Sequence, residues 1–312
     1  MRLFRVTAPA LLAFAVALVA SGVLSVRSPD ALSTSPLLTL ILVPVARAVM
    51  FVSGSVAVGG ALIGGVLSQD ERALRIGGRS ALVFAAASAV VALTTLADVL
   101  AAQVWQAFDG TMLFSFLTQI DEGRYLMLQV VLACTAALIM ARVSHPIDAA
   151  FGLGTMLVAV VLPGFTGHSS AALSHWIVSA TMLLHLAAMN LWMGGVIVLL
   201  AAYNARALVR FSNVAIMAYV VLILSGVANL VARIGNWNFF WHSSYLVVLA
   251  LKVLLTLALG AFAATKLRRT TALVVEGGDE VATVMRRALG LETGLMLTAL
   301  AFGVVLARMA NP

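Results

Sequence analysis

The chain has 312 residues, of which 62% are hydrophobic and 10% are charged, whereas about 25% of the residues in an ordinary soluble domain are charged. A mean hydropathy of +1.09 and repeated apolar runs of roughly 20 residues exclude a soluble domain of useful size and predict a polytopic helical membrane protein. The formal net charge of +7 comes from basic residues in short loops, so it indicates a membrane topology and not a nucleic-acid partner.

Nine apolar spans follow one another along the chain and predict an all-α transmembrane bundle. Their approximate limits are 6–26, 37–67, 80–104, 124–142, 149–165, 176–203, 211–232, 245–265 and 287–307. The segment TMLFSFLTQI at 111–120 is too short to span and is expected to be interfacial or re-entrant. The first span reads as a retained helix. A signal peptide is the alternative, because Arg2 and Arg5 precede it, but the exit VASG is a poor cleavage site.

Within the second span, Gly60 and Gly64 form a face of small residues that suits close helix packing.

Basic residues in the loops predict the orientation. Thirteen of them fall on one side: Arg2, Arg5, Arg72, Arg75, Arg79, Arg142, Arg206, Arg210, Lys266, Arg268, Arg269, Arg286 and Arg287. The other side holds Arg27, Arg124, Arg233 and Arg308. Because the side richer in Lys and Arg is cytoplasmic, the N-terminus is expected inside and the C-terminus outside.

Five ionisable side chains lie within predicted spans, where they are costly and indicate function by default. They are Arg47, Asp98, His185, Lys252 and Glu292. Arg47 and Asp98 have comparable depths, so an ion pair is predicted, either functional or only fixing helix packing. Lys252 and Glu292 differ by about 10 Å in depth. They either approach each other or snorkel to opposite surfaces.

The run MLLHLAAMNLWMGG at 182–195 carries the strongest chemical signal. Four of its side chains share one narrow stripe of a helix: Met182, His185, Met189 and Met193. Thioethers and imidazole are soft ligands that suit Cu(I), although methionine also commonly fills apolar cores. The upstream GHSSAALSH adds His168 and His175 at the predicted outer end.

Other chemistries lack their motifs. The single cysteine, Cys134, rules out a disulfide framework and a CxxC metal site. No GxxxxGK[ST] loop is present, so ATP hydrolysis is not expected. No enzymatic activity is predicted.

From GFTGHSS onward the chain resembles the copper resistance protein D family. The landmarks come in order: GFTGHSS, HLAAMNLWMGG, RFSNVA at 210–215, Ser225-Gly226, Tyr245 with Lys252, and RRALGLE ending at Glu292. The family often has Gly where this chain has Leu246, and Asn where GAFAATKLRR has none. The resemblance divides the chain into loosely family-like transmembrane helices at 1–148 and a family-like core at 149–312.

The resemblance implies copper handling in the inner (cytoplasmic) membrane, usually import, often beside a secreted chaperone of the CopC type. In some relatives it also implies a link to a cytochrome oxidase assembly factor. Copper, as Cu(I), is then expected at His185 with Met182, Met189 and Met193, and His168 and His175 would collect it at the outer mouth. Membrane lipid is the other expected partner, and nucleic acid is not.

Two alternatives remain open. A haem b redox protein would need two histidines at matched depth on facing helices as axial ligands. A membrane subunit for oxidase or cuproprotein assembly would carry no metal of its own.

Overall fold

The computed structural model describes residues 36–165, 175–233, 244–273 and 279–306, and every regular element in these ranges is a helix. Five α-helices form the first part of the chain: α1 (Leu37–Gly60), α2 (Glu71–Val99), α3 (Gly110–Gln119), α4 (Asp121–Ala141) and α5 (Pro146–Val161). Short turns of other helix types join them: a π-helical end of α1 (Ala61–Leu67) and 3-10 turns at Val104–Phe108 and Leu162–Phe165.

Four long helices form the second part of the chain: α6 (His175–Ala201), α7 (Ala205–Arg233), α8 (Ser244–Leu273) and α9 (Asp279–Leu306). Among the described residues, eight helices are long and apolar enough to cross a membrane. They coincide with eight of the nine predicted spans, and the polytopic helical bundle is confirmed. The remaining span, 6–26, lies outside the described residues. The short segment 111–120 falls largely in α3, and its interfacial or re-entrant placement stays a prediction.

The limits of α2 differ most from the prediction. This helix begins at Glu71, about nine residues before the predicted start at 80. The Asp70 carboxylate caps it by accepting hydrogen bonds from the backbone N–H groups of Arg72 and Ala73. Hydropathy marks the apolar part of a helix, whereas capping and backbone hydrogen bonds also fix its charged first turns.

Two apolar cores share α1. Residues of α1, α2, α4 and α5 enclose the first core, and residues of α6, α7 and α9 with the inner part of α1 enclose the second. Small residues bring α1 and α2 together, as predicted. A Cβ atom added to Gly60 would collide with the backbone of Gly77, and one added to Gly64 would lie 2.5 Å from the Leu74 nitrogen.

Contacts at the predicted cytoplasmic ends of the helices link distant parts of the chain. The Arg210 guanidinium donates to the Leu67 carbonyl oxygen at 2.7 Å, which ties the start of α7 to the end of α1. Arg286 of α9 lies over the Tyr203 ring, 5.6 Å from its centroid. Burial raises the pKa of the Tyr203 hydroxyl, and the charge of Arg286 opposes that shift. Arg210 and Arg286 thus each contact a residue next to the end of another helix, on the side predicted to be cytoplasmic.

Candidate metal site

His185 lies at the interface of α6 and α7. It is ten residues from the start of α6, which places it about 15 Å along the helix. Its Nδ1 atom is 3.2 Å from Ser225 Oγ of α7. A Cβ atom added to the neighbouring Gly226 would lie 3.4 Å from His185 Cε1. A serine and a glycine therefore leave room on α7 for the half-buried imidazole.

The contacts of Ser225 favour one tautomer of His185. Ser225 Oγ lies 3.2 Å from both the Leu222 carbonyl oxygen and His185 Nδ1, and the hydroxyl has a single proton to donate. When that proton goes to the carbonyl oxygen, Ser225 accepts a hydrogen bond from Nδ1–H of His185, and the lone pair of the neutral ring lies on Nε2. A metal-ligating histidine usually has this arrangement, in which one ring nitrogen donates to a neighbouring acceptor and the other binds the metal.

The methionines of the predicted stripe lie in different surroundings. Met182 and Met189 are half-buried and flank His185 at three residues outward and four residues inward. Met182 faces the 3-10 turn after α5, because a Cβ atom on Gly164 would lie 3.4 Å from its Cγ. Met193 is 3% exposed inside the second core, about 12 Å along α6 from His185. The flanking pair is therefore better placed near the imidazole than Met193 is.

Two of the predicted ligands are not among the described side chains. His168 and the side chain of His175 lie outside the described residues. Among the described residues, no three His, Cys, Asp or Glu side chains come together. The other described histidine, His145, is the exposed N-cap residue of α5. A metal at His185 would therefore rely on sulfur ligands, or on residues beyond the described ranges, to complete its coordination.

Lys252 lies on α8, eight residues from the start of that helix. Its Nζ atom would lie 3.4 Å from a Cβ atom on Gly303 of α9. Gly303 is eleven residues beyond Glu292, or about 16 Å along the helix. The ammonium group therefore extends away from Glu292, and no ion pair joins the two side chains in the described part of the chain.

A second polar cluster lies deeper in the bundle. Glu292 is 2% exposed, and its Oε1 atom accepts a hydrogen bond from Trp192 Nε1 at 3.3 Å. The ring of Tyr219 packs edge-on against Trp192, with 5.2 Å between the ring centroids. Helices α6, α7 and α9 each contribute one member. Glu292 thus faces the bundle interior, where an intramembrane carboxyl group is expected to lie.

The outer part of α1 carries a polar contact that the sequence did not indicate. Arg47 forms an ion pair with Glu122 at the start of α4, at 3.1 Å between Nη2 and Oε1. The coupling of Arg47 with Asp98 stays a prediction, and Asp98 has interactions of its own. Glu122 could not be recognised from the sequence as the partner of Arg47, because it lies at the end of a span, where a carboxylate needs no special explanation.

Two polar residues of α7 also have no role assigned from the sequence. Asn229 donates through Nδ2 to the Ser225 carbonyl oxygen at 3.2 Å. Its Oδ1 atom is buried and has no hydrogen-bond partner within the described part of the chain. The sequence could have indicated this pair, because Ser225 and Asn229 are four residues apart on one face of an otherwise apolar helix.

Two family models match the chain. The model for the copper resistance protein D-like N-terminal domain matches residues 34–176, and the model for copper resistance protein D matches residues 205–306. Most of α6, including His185, lies between the two matched ranges. The predicted division at 148/149 stays a prediction. No curated protein and no solved structure matches the chain.

Proposed function

The chain belongs to the copper resistance protein D family, and from this premise we propose that it imports copper across the cytoplasmic membrane with Cu(I) bound at His185. Family membership makes it a copper-related protein, and its eight apolar helices make it a multi-pass membrane protein. The proposal goes beyond family membership in three respects: the direction of transport, the copper ligands and the oxidation state of copper. The proposed activity is transport, and no chemical reaction is catalysed.

One observation carries the proposal: the contact between His185 and Ser225. The contact orients the imidazole, and donation of Nδ1–H to Ser225 would leave the Nε2 lone pair for a metal. Met182 and Met189 flank it on α6, and thioether with imidazole suits Cu(I) better than hard cations. A transport site has to release its ion, so few exchangeable ligands are an advantage.

The expected partners belong to the same proposal. A CopC-type chaperone would deliver copper at the outer end, where His168 and His175 lie in the predicted topology. An oxidase assembly factor would use the same copper after its passage.

The central test replaces His185 in the full chain. His185→Ala should reduce Cu(I) binding by at least about tenfold, because a lost ligand removes a direct metal bond. His145→Ala is the matched control, since His145 is an exposed helix cap at the opposite end of the bundle. Equilibrium competition with a Cu(I) chelator measures affinity in the purified protein, and copper accumulation in cells measures import.

Two further variants separate chemistry from packing. Met182→Leu and Met189→Leu keep the bulk and remove the sulfur, so a loss of Cu(I) binding there would be chemical. Silver(I) should compete for the site, and zinc should compete poorly. If His185→Ala binds Cu(I) as tightly as the unaltered protein, the proposed site is wrong.

A further inference from the structure

The outer half of α7 buries two side chains, and both are polar. Between residues 219 and 231, Ser225 and Asn229 are 5% and 9% exposed, and all the other residues are half-buried or exposed. The apolar Leu224, for example, is exposed. Among the described elements, α6 is the main neighbour of α7, and Ser225 contacts His185 on it. The outer half of α7 therefore turns a polar face towards the helix that carries His185.

Two close contacts connect Asn229 with the imidazole of His185. Asn229 Nδ2 donates to the Ser225 carbonyl oxygen at 3.2 Å, and Ser225 Oγ lies 3.2 Å from His185 Nδ1. A Cβ atom on Gly226 would lie 3.4 Å from Cε1 of the same ring, the carbon next to Nε2. Because its nitrogen is bound to α7, the Asn229 amide is held about one turn, or 6 Å, outward of Ser225.

Thr181 occupies the matching position on α6. It comes four residues before His185, so it shares the same face of the helix and lies about 6 Å farther outward. Helices α6 and α7 are antiparallel, since only a short connection joins them. Because His185 lies opposite Ser225, Thr181 and Asn229 have similar depths on the outer side of the site. We call these two residues the outer seam.

The oxygen of the Asn229 side chain points to a ligand. Oδ1 is buried and has no hydrogen-bond partner within the described part of the chain. A buried acceptor without a partner is costly and needs an explanation, such as a bound ion. A carbonyl oxygen can replace the water around a cation that leaves the solvent.

We infer that the outer seam is the entrance to the copper site, where Asn229 Oδ1 receives the entering Cu(I) before His185 binds it. This inference rests on the proposed function, because His185 is the destination of the ion. Oxygen is a poor ligand for a soft cation, so the ion passes on to the imidazole and the thioethers. A group that stabilises an ion only during entry lowers the barrier in both directions, so it changes rates and leaves the equilibrium affinity unchanged.

Asn229→Leu removes the oxygen and keeps the size of the side chain. In the purified full chain, transfer of Cu(I) from a chromogenic chelator should become about tenfold slower, since one polar contact to a charge is lost. Release to a stronger chelator should slow by the same factor, and the affinity should change less than about threefold. Asn229→Asp places an attractive charge at the entrance and should accelerate loading.

The matched controls use another asparagine of α7. Asn213 is exposed and comes sixteen residues before Asn229, about 24 Å farther inward along the helix. Asn213→Leu and Asn213→Asp make the same changes of polarity and charge away from the outer seam. Both should leave the rates of Cu(I) loading and release unchanged.

Thr181→Val keeps the shape of the side chain, removes the hydroxyl group and should also slow loading, which provides a test if Asn229→Leu does not fold. If the folded seam variants load Cu(I) at the rate of the unaltered chain while His185→Ala loses binding, the inference is wrong and the proposed function stands. If Asn229→Leu loads at the unaltered rate and releases Cu(I) faster, Oδ1 is a ligand of the bound ion, which also overturns the inference. If the unaltered chain binds no Cu(I), the proposed function fails and the inference fails with it.

Discussion

At the scale of single residues, the proposed site depends on Ser225, which we expect to hold Nδ1–H of His185 and to leave Nε2 for the metal. Ser225→Ala removes the acceptor for Nδ1–H and leaves the ring free to turn or to change tautomer. Loss of a partner that orients a ligand usually reduces metal affinity about 10- to 100-fold, and we expect a change in this range for Cu(I). Ser225→Thr keeps the hydroxyl and should retain most of the affinity. Equal affinities for the alanine variant and the unaltered protein would show that the contact does not orient the ligand.

A second prediction at this scale concerns Arg47, because the stabilities of single and double variants can identify its partner. The Arg47 and Glu122 side chains are 31% and 36% exposed, so their coupling should be modest, of the order of 1 kcal/mol or less. Arg47→Gln and Glu122→Gln should each lower stability, and the double variant should lose less than their sum. The same cycle with Asp98→Asn tests the pair predicted from the sequence. Strict additivity in either cycle would mean that those two residues are not coupled.

At the scale of helices, α1 and α6 cross closely. A Cβ atom added to Gly194 would collide with the Ser55 carbonyl oxygen, and one added to Gly59 would collide with the Gly194 carbonyl group. Ser55 Oγ also donates to Asn190 Oδ1 at 2.7 Å across the same interface. The helix that carries His185 is therefore held against α1 by backbone contact and a buried hydrogen bond.

Gly194→Ala should push α6 away from α1. Overpacking of this kind costs about 1–3 kcal/mol, so we expect lower thermal stability in detergent and a lower folded yield. Gly154→Ala is the matched control, because a Cβ atom there would have no neighbour within 4 Å. Equal thermal stabilities for the two variants would contradict the close crossing.

The helices could be predicted from the sequence because the hydropathy of each span depends only on the residues of that span. The contacts of the site could not, because they depend on which helices become neighbours. His185 meets Ser225 across 40 residues of sequence, and Trp192 meets Glu292 across 100. The predicted stripe of Met182, His185, Met189 and Met193 stays a prediction as a ligand set, because its members have different surroundings. Periodicity alone could not show that Met193 enters a core while His185 faces α7.

At the scale of the whole molecule, α1 and α6 join two parts that the family models match separately. The N-terminal match ends at residue 176 and the second begins at residue 205, so α6 connects them in sequence while α1 contributes to both cores. The proposed ligand therefore lies on the helix that links the two parts. Because α6 and α7 both contribute to the second core, the contact between His185 and Ser225 lies within that part.

The orientation of the whole bundle gives the last prediction. Basic residues at one set of helix ends predict that the loops at 27–36, 105–123, 166–175 and 233–244 are extracytoplasmic. The native Cys134 is half-buried within α4, so it is first replaced by alanine. Ser170→Cys and Gly277→Cys are then made singly and treated in intact cells with a membrane-impermeant maleimide. Ser170→Cys should react directly, and Gly277→Cys only after the cells are permeabilised. Direct reaction at both positions would rule out the topology, and the reversed pattern would place His185 near the cytoplasmic side, where it could not receive copper first.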